Sequence, residues 1–339
     1  MDFFCCLGLL LFEPDILFFF LSVLILENGS FMVLQQLSFE DYLNEKAALV
    51  EHFLHDTIFS QKSTLSLQWP ERLKKAMEHG VMGGGKRLRP FLTLETAQLL
   101  KGREDNALQA GAALELIHCY SLIHDDLPAM DDDELRRGQP TVHRAYDEAT
   151  AILAGDALLT LAFELLASEK THPDPSIRVN CILALSKAAG ASGMVGGQML
   201  DLAAEGRFDT ARPSLPEIRN LQAMKTGALI CAAVELGALI SQASHEQKNA
   251  LLQFAQALGA AFQIADDILD RESTTEEMGK KTGKDQEKGK GTLVDILGLD
   301  AAREECTHLQ NKAFKALEFF GKDADILRSA FIFAVKRKI

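Results

Sequence analysis

Proline, tryptophan and long flexible linkers are scarce in this chain. Its 339 residues include 9 Pro and one Trp, and no extended Gly/Ser stretch interrupts them. Few prolines, together with abundant Ala and Leu, favour helices over sheets, and the absence of a linker favours a single domain. The 47% of apolar residues is enough for a sizeable core and excludes a disordered chain. The sequence therefore predicts an all-α fold in one domain of about ten helices, several of them buried all round.

The chain also lacks an excess of positive charge and any paired cysteine motif. Its formal net charge is −13, which argues against a general nucleic-acid binder. Local basic clusters or bound cations can still attract an anionic substrate into a cleft. The six cysteines are scattered, without a CxxC pair or a His/Cys group of the zinc-binding kind. We expect reduced thiols, as is typical of a cytoplasmic protein.

The first 31 residues contain neither Lys nor Arg. A secretory signal would begin with a positively charged segment, and the apolar run at residues 16–26 is too short to span a bilayer. Three interpretations remain open: a start-site artefact, a hydrophobic membrane anchor, or a segment that packs on the core. We favour the artefact, because Met32 opens an ordinary amphipathic sequence. The predicted division is an apolar extension over residues 1–31 and a helical domain over residues 32–339, with membrane association only if the extension is real.

Two acidic segments follow strongly apolar helical sequence. The first, HDDLPAMDDDELRRG, covers residues 124–138 and holds five aspartates, and the second, FQIADDILD, covers residues 262–270. In the second segment Asp266 and Asp270 share one helix face, where like charges repel. A bound cation would relieve this repulsion. Mg²⁺ suits such a site, because it accepts one or two carboxylates and completes its shell with water and phosphate oxygens.

The geometry of the first segment is ambiguous, because Pro128 disturbs the helix. Periodicity cannot decide whether Asp131, Asp132 or Asp133 faces Asp125, although on an ideal helix Asp132 is the nearest match. The competing interpretation of each acidic segment is a helix end exposed to solvent. The occurrence of two such segments, each beside a buried helix, favours metal binding.

A glycine-rich basic segment, GGGKRLRP, covers residues 83–90. Glycines allow backbone amides to approach an anion closely, and the start of the following helix adds its dipole. Single basic residues are more often solvated surface charges, and this segment lacks the spacing of a nucleotide-binding phosphate loop. Further basic residues, Arg136 and Arg137, follow the aspartates of the first acidic segment. Metal-binding carboxylates combined with two separate basic sites indicate that two polyanions are held together.

At these motifs the chain resembles the trans-prenyltransferases, and most closely the bacterial farnesyl diphosphate synthases. The most specific matches are GGGKRLRP, SLIHDDLPAMDDDELRRGQPTVH, ILAGDALLTLAFELL, GGQMLDL, KTGALI and AFQIADDILD. The resemblance implies an antiparallel helix bundle around a deep central cavity, of the isoprenoid synthase type, and a homodimer. The implied reaction joins isopentenyl diphosphate to dimethylallyl and then geranyl diphosphate, by ionisation, condensation and proton elimination, and stops at farnesyl diphosphate.

Carried over position by position, the resemblance implies a complete site. Asp125, Asp131 and Asp266, with Asp270 as lesser support, would hold three Mg²⁺ ions, for which Mn²⁺ can substitute. Isopentenyl diphosphate would contact Lys86, Arg89, His118 and Arg137. The allylic diphosphate would contact Arg136, Lys225, Thr226, Gln263, Lys280 and Lys290. The catalytic set would be Asp125, Asp131, Arg136, Lys225 and Asp266.

Tyr120 lies five residues before Asp125, and the resemblance implies that it forms the floor of the substrate cavity and limits product length. Considered alone, Tyr120 and His118 are more ordinary residues: a core aromatic and a structural helix histidine.

Three alternatives share parts of this pattern. A geranylgeranyl or longer-chain synthase would carry every catalytic motif. A terpene cyclase needs no second diphosphate site, so GGGKRLRP and His118 argue against it, and a silent partner subunit would not need intact aspartates in both segments. Two departures from the family concern closure over the isopentenyl site. Residues 291–293 are Gly-Thr-Leu where relatives have Ser/Thr-Thr-Tyr-Pro. The sequence ends AFIFAVKRKI, whereas relatives keep an Arg a few residues from the terminus in a slightly different frame.

Overall fold

The structure is almost entirely helical, which confirms the predicted fold class. The computed structural model describes residues 38–208, 213–272 and 293–336, together with the backbone of two short strands before them. The longer helices are α1 (Phe39–Leu54), α2 (Glu71–Met82), α3 (Leu88–Leu99), α4 (Glu104–Asp125), α6 (Glu148–Ala167), α7 (Pro175–Ala189), α8 (Met194–Ala204), α9 (Leu215–Gln222), α10 (Ala228–Ile240), α11 (His245–Glu272), α13 (Leu299–Ala316) and α14 (Asp325–Lys336).

The shorter elements connect these helices. They are β1 (Val23–Ile25), β2 (Phe31–Val33), a π-helical turn (His55–Phe59), β3 (Leu135–Arg136), β4 (Gln139–Pro140), α5 (Val142–Ala145), a second π-helical turn (Ala223–Gly227), α12 (Leu293–Leu297) and a 3₁₀ segment (Leu317–Ala324).

Helix α4 lies at the centre of the bundle and packs on α3, α6 and α10. Its side chains are buried over residues 106–117 without a break, so it presents no solvent face there. Close packing between α3 and α10 depends on Gly237, because a Cβ at that position would lie 2.6 Å from the carbonyl oxygen of Thr93. The Thr93 hydroxyl donates a hydrogen bond to the carbonyl of Ala233 at 2.9 Å. These contacts hold α3 closely against α10.

Helix α6 differs from its sequence prediction. Its apolar sequence predicts a helix buried all round, but only one face is buried, and Ile152 and Leu153 on the other are 44% and 58% exposed. On the neighbouring α7, Val179 is 60% exposed and Leu183 49%. A helix that is buried on all sides and a helix with an exposed apolar face can have the same sequence pattern, so composition could not distinguish the two. Helices α6 and α7 therefore present apolar side chains to solvent.

By length and composition alone, three helical stretches of the described chain are long and apolar enough to cross a bilayer. They are Glu148–Ala167, Pro175–Ala204 and Leu215–Ile240. In their most apolar windows, 33 to 56% of the residues are buried inside the bundle. Packing against other helices therefore accounts for part of their apolar character.

Strands β1 and β2 form an antiparallel pair in which Leu24 is opposite Met32. The pair therefore joins the two sides of the predicted boundary between residues 31 and 32. The rest of the extension lies outside the described residues, so this division of the chain remains a prediction.

Candidate active site

The end of α4 brings two aspartates of the first acidic segment together. The helix stops at Asp125, and the chain turns back so that the backbone N–H of Asp131 donates to the carbonyl of Asp125 at 2.8 Å. Asp132 has a positive φ of 52° and bonds instead to the carbonyl of Leu127. Because the helix does not continue past Pro128, helical periodicity does not apply to these residues. This hydrogen bond places the backbone of Asp131 beside Asp125, and the choice of Asp131 as the metal ligand remains a prediction.

The environment of Asp125 favours a cation. The pKa of this carboxyl is raised to about 6, chiefly by burial; the negative charges of Asp131 and Asp126 contribute to the rise, while Lys225 and Arg136 act in the opposite direction. In the described part of the chain, no group of three or more His, Cys, Asp and Glu side chains could hold a metal by itself. The neighbouring carboxylates of Asp125 and Asp131 fit Mg²⁺, because this ion needs only one or two protein carboxylates and takes its remaining ligands from water and substrate phosphate.

Arg136 and Arg137 lie on a tight hairpin after this motif. Strands β3 and β4 pair Arg136 with Gln139, and the intervening Arg137 and Gly138 both have positive φ, 53° and 77°, as a type I′ turn requires. The turn sends the two arginines to different partners. Arg136 makes a bidentate ion pair with Asp126, whereas Arg137 donates to the carbonyl of Gly84.

The glycine-rich segment makes room for Arg137. A Cβ on Gly85 would lie 2.6 to 2.7 Å from the guanidinium of Arg137, and Gly84 and Gly85 have positive φ values of 82° and 127°. The glycines therefore let two basic elements approach each other. This role differs from the direct contact between backbone amides and an anion that the sequence suggested.

The three cations of this segment point in different directions. Arg87, in the left-handed conformation with φ 46°, is fully buried and bonds to Glu51 and Glu115. Lys86 is exposed, with its Nζ 4.6 Å from the ring centroid of Phe333 in α14. Arg89 lines the central cavity, and its buried Nε has no hydrogen-bond partner among the described residues. An unpaired buried donor of this kind fits an anion site.

His118 lies beside Arg89 on the wall of the same cavity. Burial holds the pKa of His118 well below its ordinary value of 6.5, and the surrounding positive charges lower it further, those of Arg89 and Arg137 first. The imidazole is therefore neutral in the free protein. A bound anion would offset the arginine charges and raise this pKa.

A second group of polar residues joins α11 to the π-helical turn that precedes α10. The hydroxyl of Thr226 donates to Oε1 of Gln263 at 2.9 Å, and Nε2 of Gln263 donates to Asp267 at 3.1 Å. Asp267 also accepts from Gln222, so this buried aspartate is occupied by protein contacts. Asp266 and Asp270 are half-buried one turn apart on α11. Their shared face is as the sequence predicted.

Lys225 is held by a partner that the sequence analysis missed. Its Nζ lies 2.6 Å from a carboxylate oxygen of Asp201 in α8. The two helical segments approach closely at Gly197, where a Cβ would lie 2.2 Å from the backbone nitrogen of Lys225. The only sequence feature that could have indicated Asp201 is its place in the GGQMLDL motif.

Some of these residues line one cavity of about 370 Å³; Asp131, Arg136, Arg137, Gln263, Asp266 and Asp270 are not part of its lining. Its polar lining includes Arg89, His118, Asp125, Lys225 and Thr226. Its apolar lining includes Met130, Met194, Val195, Met199, Leu202 and Leu229. Tyr120 is 6% exposed and also lines the cavity, and burial raises its pKa to about 12. Lys280 and Lys290 lie outside the described residues, as do residues 291–292 and 337–339.

Comparison with known proteins identifies the family of the chain. The model of the polyprenyl synthetase family matches residues 70–325. The farnesyl diphosphate synthase of Geobacillus stearothermophilus is 45% identical over 271 residues, 80% of this chain and 88% of that protein. The chloroplastic geranylgeranyl pyrophosphate synthase of Capsicum annuum is 39% identical over 283 residues, 84% of this chain and 74% of that protein.

A solved structure gives the same result at the level of the fold. The apo crystal structure of an FPP/GFPP synthase from Zymomonas mobilis matches with a TM-score of 0.77 at 41% identity, and the match covers 88% of this chain and 98% of that one. Sequence and structure thus agree that the chain belongs to the polyprenyl synthetase family.

Proposed function

We propose that this protein is a Mg²⁺-dependent prenyltransferase that condenses isopentenyl diphosphate with dimethylallyl and geranyl diphosphate to give farnesyl diphosphate. The observation that carries the proposal is the single cavity in which Asp125, Lys225 and Arg89 accompany apolar walls that include Tyr120. A substrate with an anionic head and a hydrocarbon tail fits such a lining. Membership of the polyprenyl synthetase family and the 45% identity to a farnesyl diphosphate synthase support the same reaction.

Mg²⁺ is assigned to the two acidic segments. Asp125, Asp131 and Asp266, with Asp270 in support, would hold up to three ions, and Mn²⁺ is expected to substitute. When bound, the ions would offset the negative charge of the allylic diphosphate and so make it a better leaving group.

The protein's own cations would orient the allylic diphosphate. Asp126 fixes the guanidinium of Arg136, and Asp201 fixes the ammonium of Lys225, so each positive charge is held in place before substrate binds. Because the Thr226 hydroxyl donates to Gln263, its oxygen lone pairs remain available to the cavity. Oriented oxygens of this kind would stabilise the allylic cation formed when the diphosphate leaves. Lys280 and Lys290 remain predicted contributors.

A second anion site would hold isopentenyl diphosphate. Arg89, with its unpaired Nε, and His118 line the cavity, and the guanidinium of Arg137 lies against Gly84 and Gly85, next to Lys86 in the sequence. Isopentenyl diphosphate bound there would present its double bond to the allylic cation. Loss of a proton, toward the released diphosphate, would complete the condensation.

The exposed apolar side chains of α6 and α7 support assembly as a homodimer. Leu153 and Val179 are 58% and 60% exposed, and contiguous exposed apolar surface commonly marks a subunit interface. We expect Leu153→Asp to lower the mass measured by light scattering from that of a dimer to that of a monomer. The free thiols among the described cysteines fit the cytoplasm.

One assay tests the proposed function. The protein is incubated with Mg²⁺, isopentenyl diphosphate and either dimethylallyl or geranyl diphosphate, and the products are sized. We expect farnesyl diphosphate as the main product, abolition of activity by a chelator, and recovery with added Mg²⁺. A geranylgeranyl or longer main product would replace the farnesyl assignment with the alternative, and no condensation would reject both.

Variants of the aspartates test the metal assignment. Asp125→Ala and Asp266→Ala should each lower kcat by about three orders of magnitude, because each removes stabilisation of the leaving group. Asp105→Ala is the matched control: Asp105 lies at the opposite end of α4 and its side chain is 83% exposed. Wild-type turnover by Asp125→Ala would contradict the assignment.

A further inference from the structure

Helix α6 contacts a cavity-lining residue, His124, at the buried Gly155. A Cβ at Gly155 would lie 2.0 Å from Nε2 of His124, 2.5 Å from its Cδ2 and 2.7 Å from its Cε1. Real Cβ atoms do not come this close to other heavy atoms, so the imidazole of His124 occupies space that only glycine leaves open. Nε2 of His124 also lies 3.1 Å from the carbonyl oxygen of Ile152, one turn earlier on α6. The ring is therefore seated on the backbone of α6.

The same imidazole contacts Tyr120. The two rings are one helical turn apart on α4, with centroids 5.7 Å apart and planes at 76°, an edge-to-face arrangement. Among the described residues, no other ring contact to Tyr120 is found. Both side chains line the central cavity. His124 therefore contacts both the Tyr120 ring and the backbone of α6.

We propose that His124 and Gly155 are positioning residues that fix Tyr120 and thereby set the length of the product. The proposal rests on the proposed function, in which the allylic chain grows within this cavity. Gly155 allows the imidazole to recess into α6, and the recessed imidazole holds the Tyr120 ring across the path of the chain. Neither residue needs to touch the reacting atoms for this role.

Substitutions at the two positions should change the chain length of the product in opposite directions. His124→Ala removes the support, so the Tyr120 ring can turn aside, and the ratio of geranylgeranyl to farnesyl product should rise by roughly threefold or more. Gly155→Ala drives the imidazole out of its recess toward Tyr120. The cavity shortens, and the ratio of geranyl to farnesyl product should rise by roughly threefold. The clash involves only the tip of a side chain that can rotate, and alanine is the better helix former, so this variant is expected to fold.

A double variant tests whether the two residues act through one contact. In the His124→Ala background the added methyl group of Gly155→Ala has no imidazole to displace, so it should leave the product ratio unchanged. Gly111→Ala serves as control, because Gly111 is also buried on a helix, but the three atoms nearest to a Cβ there all belong to Pro90, at 3.2 to 3.5 Å. Its product ratio should equal that of the wild type.

Product ratios at equal conversion separate positioning from simple packing. A contact that only packs α4 on α6 would change thermal stability or overall rate and leave the ratios unaltered. Unaltered ratios in both single variants, with farnesyl product from the wild type, would overturn this inference and leave the proposed function standing. Equal effects of Gly155→Ala with and without His124 would also overturn it. A wild type that makes no farnesyl product would instead reject the proposed function.

Discussion

Arg136 and Asp126 form a bidentate ion pair at the edge of the candidate active site. Nε of Arg136 lies 2.8 and 2.9 Å from the two carboxylate oxygens of Asp126, and Nη2 lies 2.5 Å from one of them. The Asp126 side chain is 4% exposed and that of Arg136 25%. The second aspartate of the first acidic segment is thus engaged by an arginine, which fixes that guanidinium relative to the end of α4.

Asp126→Asn should loosen Arg136 and weaken binding of the allylic substrate. We expect KM for geranyl diphosphate to rise by about tenfold, the cost of one charge-assisted pair, with a smaller change for isopentenyl diphosphate. Asp133→Asn is the matched control. Its carboxylate lies 3.9 Å from the same guanidinium, beyond hydrogen-bond distance, so this variant should change the KM for geranyl diphosphate less than Asp126→Asn does. Equal effects on the two KM values would show that Asp126 does not act through Arg136.

Tyr120→Ala should lengthen the product. Removing the ring opens space beyond the farnesyl chain, so the next condensation is no longer blocked, and geranylgeranyl or longer diphosphates should accumulate. Tyr146→Ala removes an aromatic ring that contacts His79 edge-to-face, outside the cavity lining, and should not alter the product. If Tyr120→Ala makes only farnesyl diphosphate at a reduced rate, the floor lies elsewhere.

His118 should make the free enzyme less stable in mild acid. The folded protein depresses the pKa of this imidazole below its ordinary 6.5, so the unfolded chain binds more protons as the pH falls below that value. Stability is therefore lost on lowering the pH through this range. Between about pH 7 and 5.5, Tm should fall more for the wild type than for His118→Gln. Groups common to both proteins, Asp125 among them, cancel in the comparison.

Two further measurements check the origin of that effect. Saturation with isopentenyl diphosphate should reduce the difference in pH dependence, because the anion offsets the arginines around His118. His308→Gln, at an exposed position of α13, should behave as the wild type. Parallel Tm curves for the wild type and His118→Gln would contradict the assignment.

Arg87→Met should strongly destabilise the fold. It leaves the Glu115 carboxylate, 3% exposed, without its partner at 2.8 Å, and an unpaired buried charge costs about 3–5 kcal/mol. The exposed pair of Arg103 and Asp105 provides the control, since Arg103→Met should cause no measurable change. Urea unfolding with an unchanged slope measures both. Adding Glu115→Gln to Arg87→Met should recover part of the loss, and a stability equal to that of Arg103→Met would contradict the prediction.

The sequence was sufficient where local pattern determines structure. Composition and periodicity predicted the helical fold, and the four-residue spacing placed Asp266 and Asp270 on one helix face. Pattern could not place Asp131 beside Asp125, because a backbone hydrogen bond after the helix end determines that contact. It also could not distinguish inward Arg87 from outward Lys86, since a left-handed residue before α3 breaks the helical phase.

Contacts between distant segments could not be predicted from the sequence either. Lys225 and Asp201 pair across two helical segments, and nothing in the sequence around either residue identifies the other as its partner. The exposed face of α6 was missed because an apolar helix has the same sequence whether protein or solvent lies beside it.

The contact at Gly197 limits how this enzyme can be redesigned. The backbone nitrogen of Lys225 lies 2.2 Å from the position of a Cβ on Gly197, so main-chain atoms of α8 set the location of the lysine. A larger residue at 197 cannot be compensated by a rotamer change on the facing segment, because the obstacle is main chain. Libraries aimed at new prenyl substrates should therefore keep residue 197 fixed and vary the methionines of the cavity wall, Met194 and Met199, whose unbranched side chains repack readily.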